Sequence, residues 1–287
     1  MRPFRSSLSR GSVMRRRILL WLISSATALG LVLGMALLLA IAWDDAAKGG
    51  CRGTLGTLMV GVDGYVYAKG HYPPATVPTE GLPPEERLSW IVEILPFVEG
   101  GGPWLVDRTM AWDEGANRIL RRRGKFSDER IFVEGRDRTG WTHCPAHDTV
   151  FDVAGHELTS YIGIAGLGLD AAELPLVDPR AGVFGFDRLT PPGAITDGTA
   201  TTMAAAETTE SNGPWKAGGP ATVRGLDPSR QPYIGRGRQF GGTHRDGAMV
   251  AFADGSVRFI RATIDPKVFE ALSTIAGGER LPAGWDR

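Results

Sequence analysis

Residues 18–43 read ILLWLISSATALGLVLGMALLLAIAW, 26 consecutive positions without a charged side chain. At about 1.5 Å rise per residue, a helix of this length crosses a hydrocarbon core of roughly 30 Å. Arg15, Arg16 and Arg17 stand directly before the run, and Asp44 and Asp45 directly after it. The excess of arginine on one side puts the N-terminus in the cytoplasm and everything beyond Asp44 outside. Trp21 and Trp43 lie near the two ends, where amphipathic rings favour the headgroup zone. The organisation expected is a basic cytoplasmic tail over 1–17, a single-pass transmembrane helix over 18–43 and an extracytoplasmic domain over 44–287. A cleaved secretory signal is the rival, because Ala40-Ile41-Ala42 has the small-x-small spacing of a cleavage site. The apolar region of such signals spans only about 7 to 15 residues, and both readings export the domain.

Outward from the apolar run, Leu55, Leu58, Met59, Val62, Tyr65 and Val66 recur at three- and four-residue intervals. That is the period of an amphipathic helix, so the helix is expected to continue beyond the membrane. Gly49, Gly50, Gly53, Gly56 and Gly61 each weaken it by roughly 1 kcal/mol against alanine, so packing must hold it. Pro73-Pro74 ends it. Residues 88–98 form a short element of helix or strand, and 155–225 suggest short strands joined by structured loops. Two strand-like runs, 248–252 and 256–260, flank Asp254-Gly255, which predicts a hairpin with a type I′ turn. A last helix is expected over 266–275, with Asp265 as its N-cap, Pro266 at its first position and Gly277-Gly278 as its stop.

The formal net charge of zero hides an asymmetry. The first 17 residues hold six arginines and no acid, which leaves 26 basic against 32 acidic residues in the remainder, a balance of −6. A mildly acidic body is not built for phosphate, and nucleic acid is excluded as its partner on that ground. The run 118–125 is rich in arginine but has Asp113 and Glu114 close by, as a solvated face does. Cys51 and Cys144 both fall in the exported part, where a disulfide is permitted. Spacing alone leaves two readings open, a bridge or two unrelated buried thiols.

Signatures of chemistry are sparse. No Gly-x-Ser-x-Gly nucleophile setting and no Gly-x-x-x-x-Gly-Lys phosphate loop is present. His143, Cys144, His147 and His156 make a local cluster, but a structural zinc needs four protein ligands and no second half with comparable spacing follows. No metal and no cofactor is therefore assigned. Asp197, Glu207 and Asp254 have the oxygens that calcium prefers, yet no twelve-residue calcium loop surrounds them and Asp-Gly is turn chemistry first. Asp197, Glu207 and Trp215 are held as ligand or loop-organising candidates.

His244 is followed by nine residues and then by Asp254-Gly255-Ser256-Val257-Arg258-Phe259. Ahead of it, in order, stand His71-Tyr72-Pro73-Pro74, Ser89-Trp90, Leu95-Pro96-Phe97, Cys144-Pro145, Thr159-Ser160-Tyr161-Ile162-Gly163, Gly182-Val183-Phe184-Gly185, Ile195-Thr196-Asp197-Gly198-Thr199, Glu207-Thr208 and Gly213-Pro214-Trp215. On these pieces the chain resembles, over roughly 48–280, the bacterial family called domain of unknown function 1559, characteristic of planctomycetes and marked by His, nine residues, then Asp-Gly. The resemblance implies a pilin-like α+β fold, with a long N-terminal helix packed on an antiparallel sheet and loop-rich insertions. It also implies that His244, Asp254 and Gly255 are a family signature of structural kind. Members commonly begin with a prepilin signal, Gly followed by Phe-Thr-Leu-Ile-Glu. Here Gly11 is followed by Ser12-Val13-Met14-Arg15, and the apolar run has no glutamate.

The function expected is that of a non-enzymatic, membrane-anchored envelope protein, structural or secretion-related, with other envelope proteins or itself as partners. Two alternatives stand beside it. One is a surface module for glycans or a divalent cation around Trp215, Tyr233, His244 and Asp254. The other is a hydrolase pairing His244 with Asp254 or Glu207, although a hydrogen bond between His244 and Asp254 that fixes the hairpin explains the same pair without catalysis.

Overall fold

Helix α1 runs unbroken over Ser9–Lys69, 61 residues that begin before the apolar stretch and end well beyond it. It is seen in a computed structural model that describes residues 9–98, 104–118, 121–122, 132–133, 136–137 and 140–285. Of the arginine-rich run 118–125, positions 119–120 and 123–125 lie outside the described residues. The chain divides into two units, Met1–Ala46 and Ala47–Arg287. In the first, the most apolar window of the helix has a mean hydropathy of 2.2 and none of it is buried. Among the described residues this is one helix long and apolar enough to span a membrane.

In the second unit, the rest of α1 buries one stripe, Cys51, Leu55, Leu58, Met59, Val62 and Tyr65, and leaves Val60 and Tyr67 to solvent. The three-and-four spacing is that of a helix with one apolar face on a core. The helix ends as Gly70 turns to φ +79° and donates its N–H to Val66 O at 2.8 Å, an αL cap that comes three residues before Pro73. Residues 88–98 resolve as helix: Ser89 caps α2 (Trp90–Ile94) by accepting from Ile91 N, and one 3₁₀ turn follows. Glycines on α1 make room for it. A Cβ on Gly61 would stand 2.6 Å from Val98 Cγ2, and one on Gly64 2.9 Å from Phe97 Cβ.

Five strands make the sheet: β1 (Tyr161–Leu167), β2 (Met203–Glu207), β3 (Val223–Leu226), β4 (Gly247–Phe252) and β5 (Val257–Arg261). Their order is β3-β1-β2-β4-β5. Three pairings are antiparallel, but β3 runs parallel to β1, with Gly163 opposite Val223, so the sheet is mixed rather than purely antiparallel. The reason is the path of the chain: after β2 it passes to the far side of β1 before re-entering the sheet, and so runs in the direction of β1. Alternation along the strands feeds two cores. Tyr161, Ala165, Ala205, Met249 and Ala251 pack toward α1 and α2. Ile162, Ile164, Ala206, Ala248 and Val250 pack toward Tyr233, Phe240 and helix α3 (Pro266–Ala271). The fold is α+β, with a long N-terminal helix on one face of a buried sheet.

Two local expectations change. The turn between β4 and β5 is not type I′. Gly255 N donates to Phe252 O at 2.9 Å and Phe252 N to Ser256 O at 2.9 Å, and only Gly255 has positive φ, +83°. This is a three-residue loop closed by a glycine bulge, in which Asp254 keeps ordinary backbone angles. Helix α3 has the expected N-cap, with Asp265 Oδ1 accepting from Lys267 N at 2.8 Å, but stops at Ala271 instead of 275. The next residues bond elsewhere: Leu272 O accepts from Met203 N at the start of β2, and Ile275 N donates to Ala181 O in the loop after β1.

Candidate functional site

Four side chains from four separate parts of the chain meet beneath α1. Cys51 lies on the buried stripe of that helix, Cys144 on the loop 140–150, Glu207 at the end of β2, and His244 on the loop that enters β4. All are buried, and one ligand-type atom of each lies within 4.8 Å of the others. Cys51 and Cys144 are joined as a disulfide, with Cα atoms 4.8 Å apart and a sequence separation of 93. Of the two readings left open by spacing, the bridge is therefore the one that holds. His244 Nε2 stands 3.9 Å from Cys144 Sγ and 3.7 Å from Glu207 Oε1.

Local structure explains the convergence. Tyr161 stands opposite Glu207 across the β1–β2 ladder, and its hydroxyl reaches Cys51 O at 3.2 Å, which ties the helix to the strand pair. Gly241 N donates to Glu207 O at 2.7 Å and anchors the loop that carries His244. The ring of His244 meets the edge of Phe259 on β5 with centroids 6.2 Å apart, and the Phe259 ring takes the place that a Cβ on Gly247 would need. Glu207 Oε2 accepts from Met249 N at 3.0 Å, whereas Oε1 has no hydrogen-bond partner among the described residues. The neighbouring Thr243 hydroxyl falls outside hydrogen-bond geometry. Burial pushes the Glu207 carboxyl above its ordinary range, against the opposing pull of His244 and the Met249 amide. Burial also raises the Tyr161 phenol, and the Glu207 charge adds to it. Leaving a carboxylate oxygen dry and half-satisfied costs several kcal/mol unless something else meets it.

The other singled-out residues go elsewhere. His244 and Asp254 do not pair: the six residues of β4 lie between them, about 17 Å or more of extended chain. Asp254 instead accepts from Ser256 N and Ser256 Oγ at 2.9 and 2.6 Å, closing its own turn beside Gly255. Asp197 clamps the segment after α3 by accepting from Gly277 N and Gly278 N at 2.7 and 3.1 Å, a loop-organising role. Trp215 is 1% exposed, packs against Trp141, and offers no face to a sugar ring. His147 turns away from Cys144 chemistry: it stacks on His143 and meets Ser160 Oγ at 3.2 Å, and burial followed by the His143 charge lowers its pKa. The residues that meet at Cys144 are thus not its neighbours in sequence but Cys51, Glu207 and His244. No fixed spacing encodes that set. The one signal available was that Cys144, Glu207 and His244 each sit in a separate piece of the family resemblance.

A family model described as Protein of unknown function (DUF1559) matches residues 50–225 and 211–267. No curated protein and no solved structure matches the chain.

Proposed function

The chain belongs to the DUF1559 family, and from that premise we propose that it is a membrane-anchored, non-enzymatic protein of the cell envelope. In this reading residues 18–43 are retained in the membrane, the basic N-terminus faces the cytoplasm, and the domain beyond Asp44 stands outside and acts by assembling with itself or with other envelope or secretion-related proteins. One observation carries it: a helix whose described apolar side chains, Trp21, Leu31, Leu38 and Trp43 among them, are exposed, with Arg15 and Arg17 at one end. Contiguous apolar surface of that extent needs a lipid or protein cover. The disulfide accords with an oxidising compartment. For the alternative, a surface module for glycans or a divalent cation around Trp215, Tyr233, His244 and Asp254, glycan stacking has little support, because Trp215, Tyr233 and His244 are buried and Asp254 alone is exposed.

Intact-protein mass spectrometry on native membranes, combined with protease treatment of whole cells, tests the proposal. A mass that includes residues 18–43, with the domain digested from outside, supports it. A mass beginning near Asp44, or a domain protected in intact cells, overturns the anchored, outward topology.

A further inference from the structure

The disulfide accounts for two members of the buried cluster and does not by itself explain why a carboxylate and an imidazole are buried against it. A bonded sulfur carries no charge and offers a neighbouring imidazole or carboxylate almost nothing. Yet Glu207, fully buried, holds one oxygen on the Met249 amide and turns the other, which makes no hydrogen bond among the described residues, to His244 Nε2 at 3.7 Å beside the sulfurs. We infer that Cys51 Sγ, Cys144 Sγ, Glu207 Oε1 and His244 Nε2 form, in the dithiol state of the chain, a four-donor site for a borderline-soft divalent cation of the zinc type.

The geometry fits. Zinc bonds of about 2.0 to 2.3 Å at tetrahedral angles place neighbouring ligand atoms roughly 3.4 to 3.8 Å apart. Two of the three edges that involve His244, to Glu207 and to Cys144, measure 3.7 and 3.9 Å, and all four atoms fall within 4.8 Å. Two thiolates with one imidazole select zinc over magnesium or calcium, which prefer oxygen alone. The Met249 amide on Glu207 Oε2 is the outer-shell contact that orients a metal-bound carboxylate. A bound dication would coordinate Glu207 Oε1 directly, with its own two charges matched by the two thiolates, so the net charge of the cluster is the same in both states. Capture of the metal releases the two thiol protons and moves no electrons. A cation between the sulfurs and a bond joining them exclude one another, so the cluster has two alternative closed states, and passing from the disulfide to the dithiol takes two electrons and two protons from a thiol-class reductant. This inference is independent of the anchoring proposed above and stands or falls separately from it.

The test uses the full chain in detergent, purified anaerobically with a phosphine reductant, with folding followed by circular dichroism. Zn²⁺ uptake is measured by competition with a chromophoric chelator, and the metal's surroundings by X-ray absorption and by the spectrum of Co²⁺ in its place. The expected result is one Zn²⁺ per reduced chain, a shell of two sulfurs with two lighter atoms, and thiolate-to-Co²⁺ charge-transfer bands. Glu207→Gln and His244→Gln should each weaken binding about 10-fold or more, the loss seen even for outer partners of a metal site. A folded, reduced chain that takes up no Zn²⁺ overturns the inference. So does a shell without two sulfurs, or affinity that both variants leave unchanged. The X-ray absorption and Co²⁺ measurements are made on the unmutated chain, so they decide the matter even if a variant does not fold.

Discussion

Arg188 is surrounded by carbonyl oxygens, not carboxylates. Its two terminal nitrogens donate to Ala165 O, Ala171 O, Leu174 O, Gly182 O and Phe184 O, and the residue is 7% exposed. Burial lowers its pKa to about 10, which leaves it charged at neutral pH. A planar fork serves several acceptors at once, whereas an ammonium has three donors and a larger hydration demand. Arg188→Lys is expected to cost about 2–4 kcal/mol, since several buried carbonyls lose their donor. A urea midpoint equal to that of the parent would refute this. Tyr72 makes a different point. Its hydroxyl donates to Ala253 O at 2.7 Å, and burial, reinforced by Asp63 and Asp254, raises its pKa to about 12. Because the folded value lies above the unfolded value of about 10, this contribution is complete below pH 10 and lost as pH rises from 10 to 12. Tyr72→Phe should therefore be less stable than the parent at pH 9 by about 1 kcal/mol, the worth of one hydrogen bond. The gap should shrink as pH rises from 10 toward 12, and parallel stability curves across that range would contradict the assignment.

At the scale of elements, α1 carries two kinds of glycine that sequence reading could not tell apart. A Cβ on Gly53 would meet nothing within 4 Å, whereas on Gly61 it would press on Val98 and Ile94, and on Gly64 on Phe97. Gly53→Ala should stabilise the protein by about 0.5–1 kcal/mol through helix propensity alone. Gly61→Ala should destabilise it by about 1–3 kcal/mol, because overpacking outweighs the same propensity gain. Thermal unfolding of the two variants checks the contrast, and two shifts of the same sign would undo it. Long periodic segments were the legible part of this fold. The α1 stripe, the β4–β5 hairpin and the Asp265 cap all follow from local physics, whereas α1 stops at the Gly70 cap, ahead of the proline pair expected to end it. What stayed illegible was set by distant partners: the parallel placement of β3, the early end of α3, and the loop type at Asp254, where the neighbouring strands select a three-residue loop over the expected turn.

Across the whole molecule, the candidate site was legible in its members and not in its assembly. Cys51, Cys144, Glu207 and His244 were each singled out, but their meeting depends on α1, β2 and two loops docking in one place, and no motif spacing records that. The same fact makes the cluster a clasp on the fold, since it joins the helix to the sheet across most of the domain. In the chain-entropy account, closing a loop of 93 residues removes about 4.6 kcal/mol of unfolded-state freedom. Reducing the disulfide in the full chain under metal-free conditions should therefore lower stability by about 2–5 kcal/mol, with an earlier urea midpoint. Removal of Glu207's neighbours does not enter that figure, because reduction leaves the Met249 amide and His244 in place. Adding Zn²⁺ to the reduced chain then separates two pictures. A cluster that serves only as a covalent staple stays at the lower midpoint whatever the metal concentration. One that also binds zinc recovers stability by RT ln(1 + [Zn²⁺]/Kd), which is about 2.7 kcal/mol at a hundredfold excess over Kd. A midpoint that climbs logarithmically with Zn²⁺ in the reduced chain and stays flat in the oxidised chain would show both closed states acting on one fold.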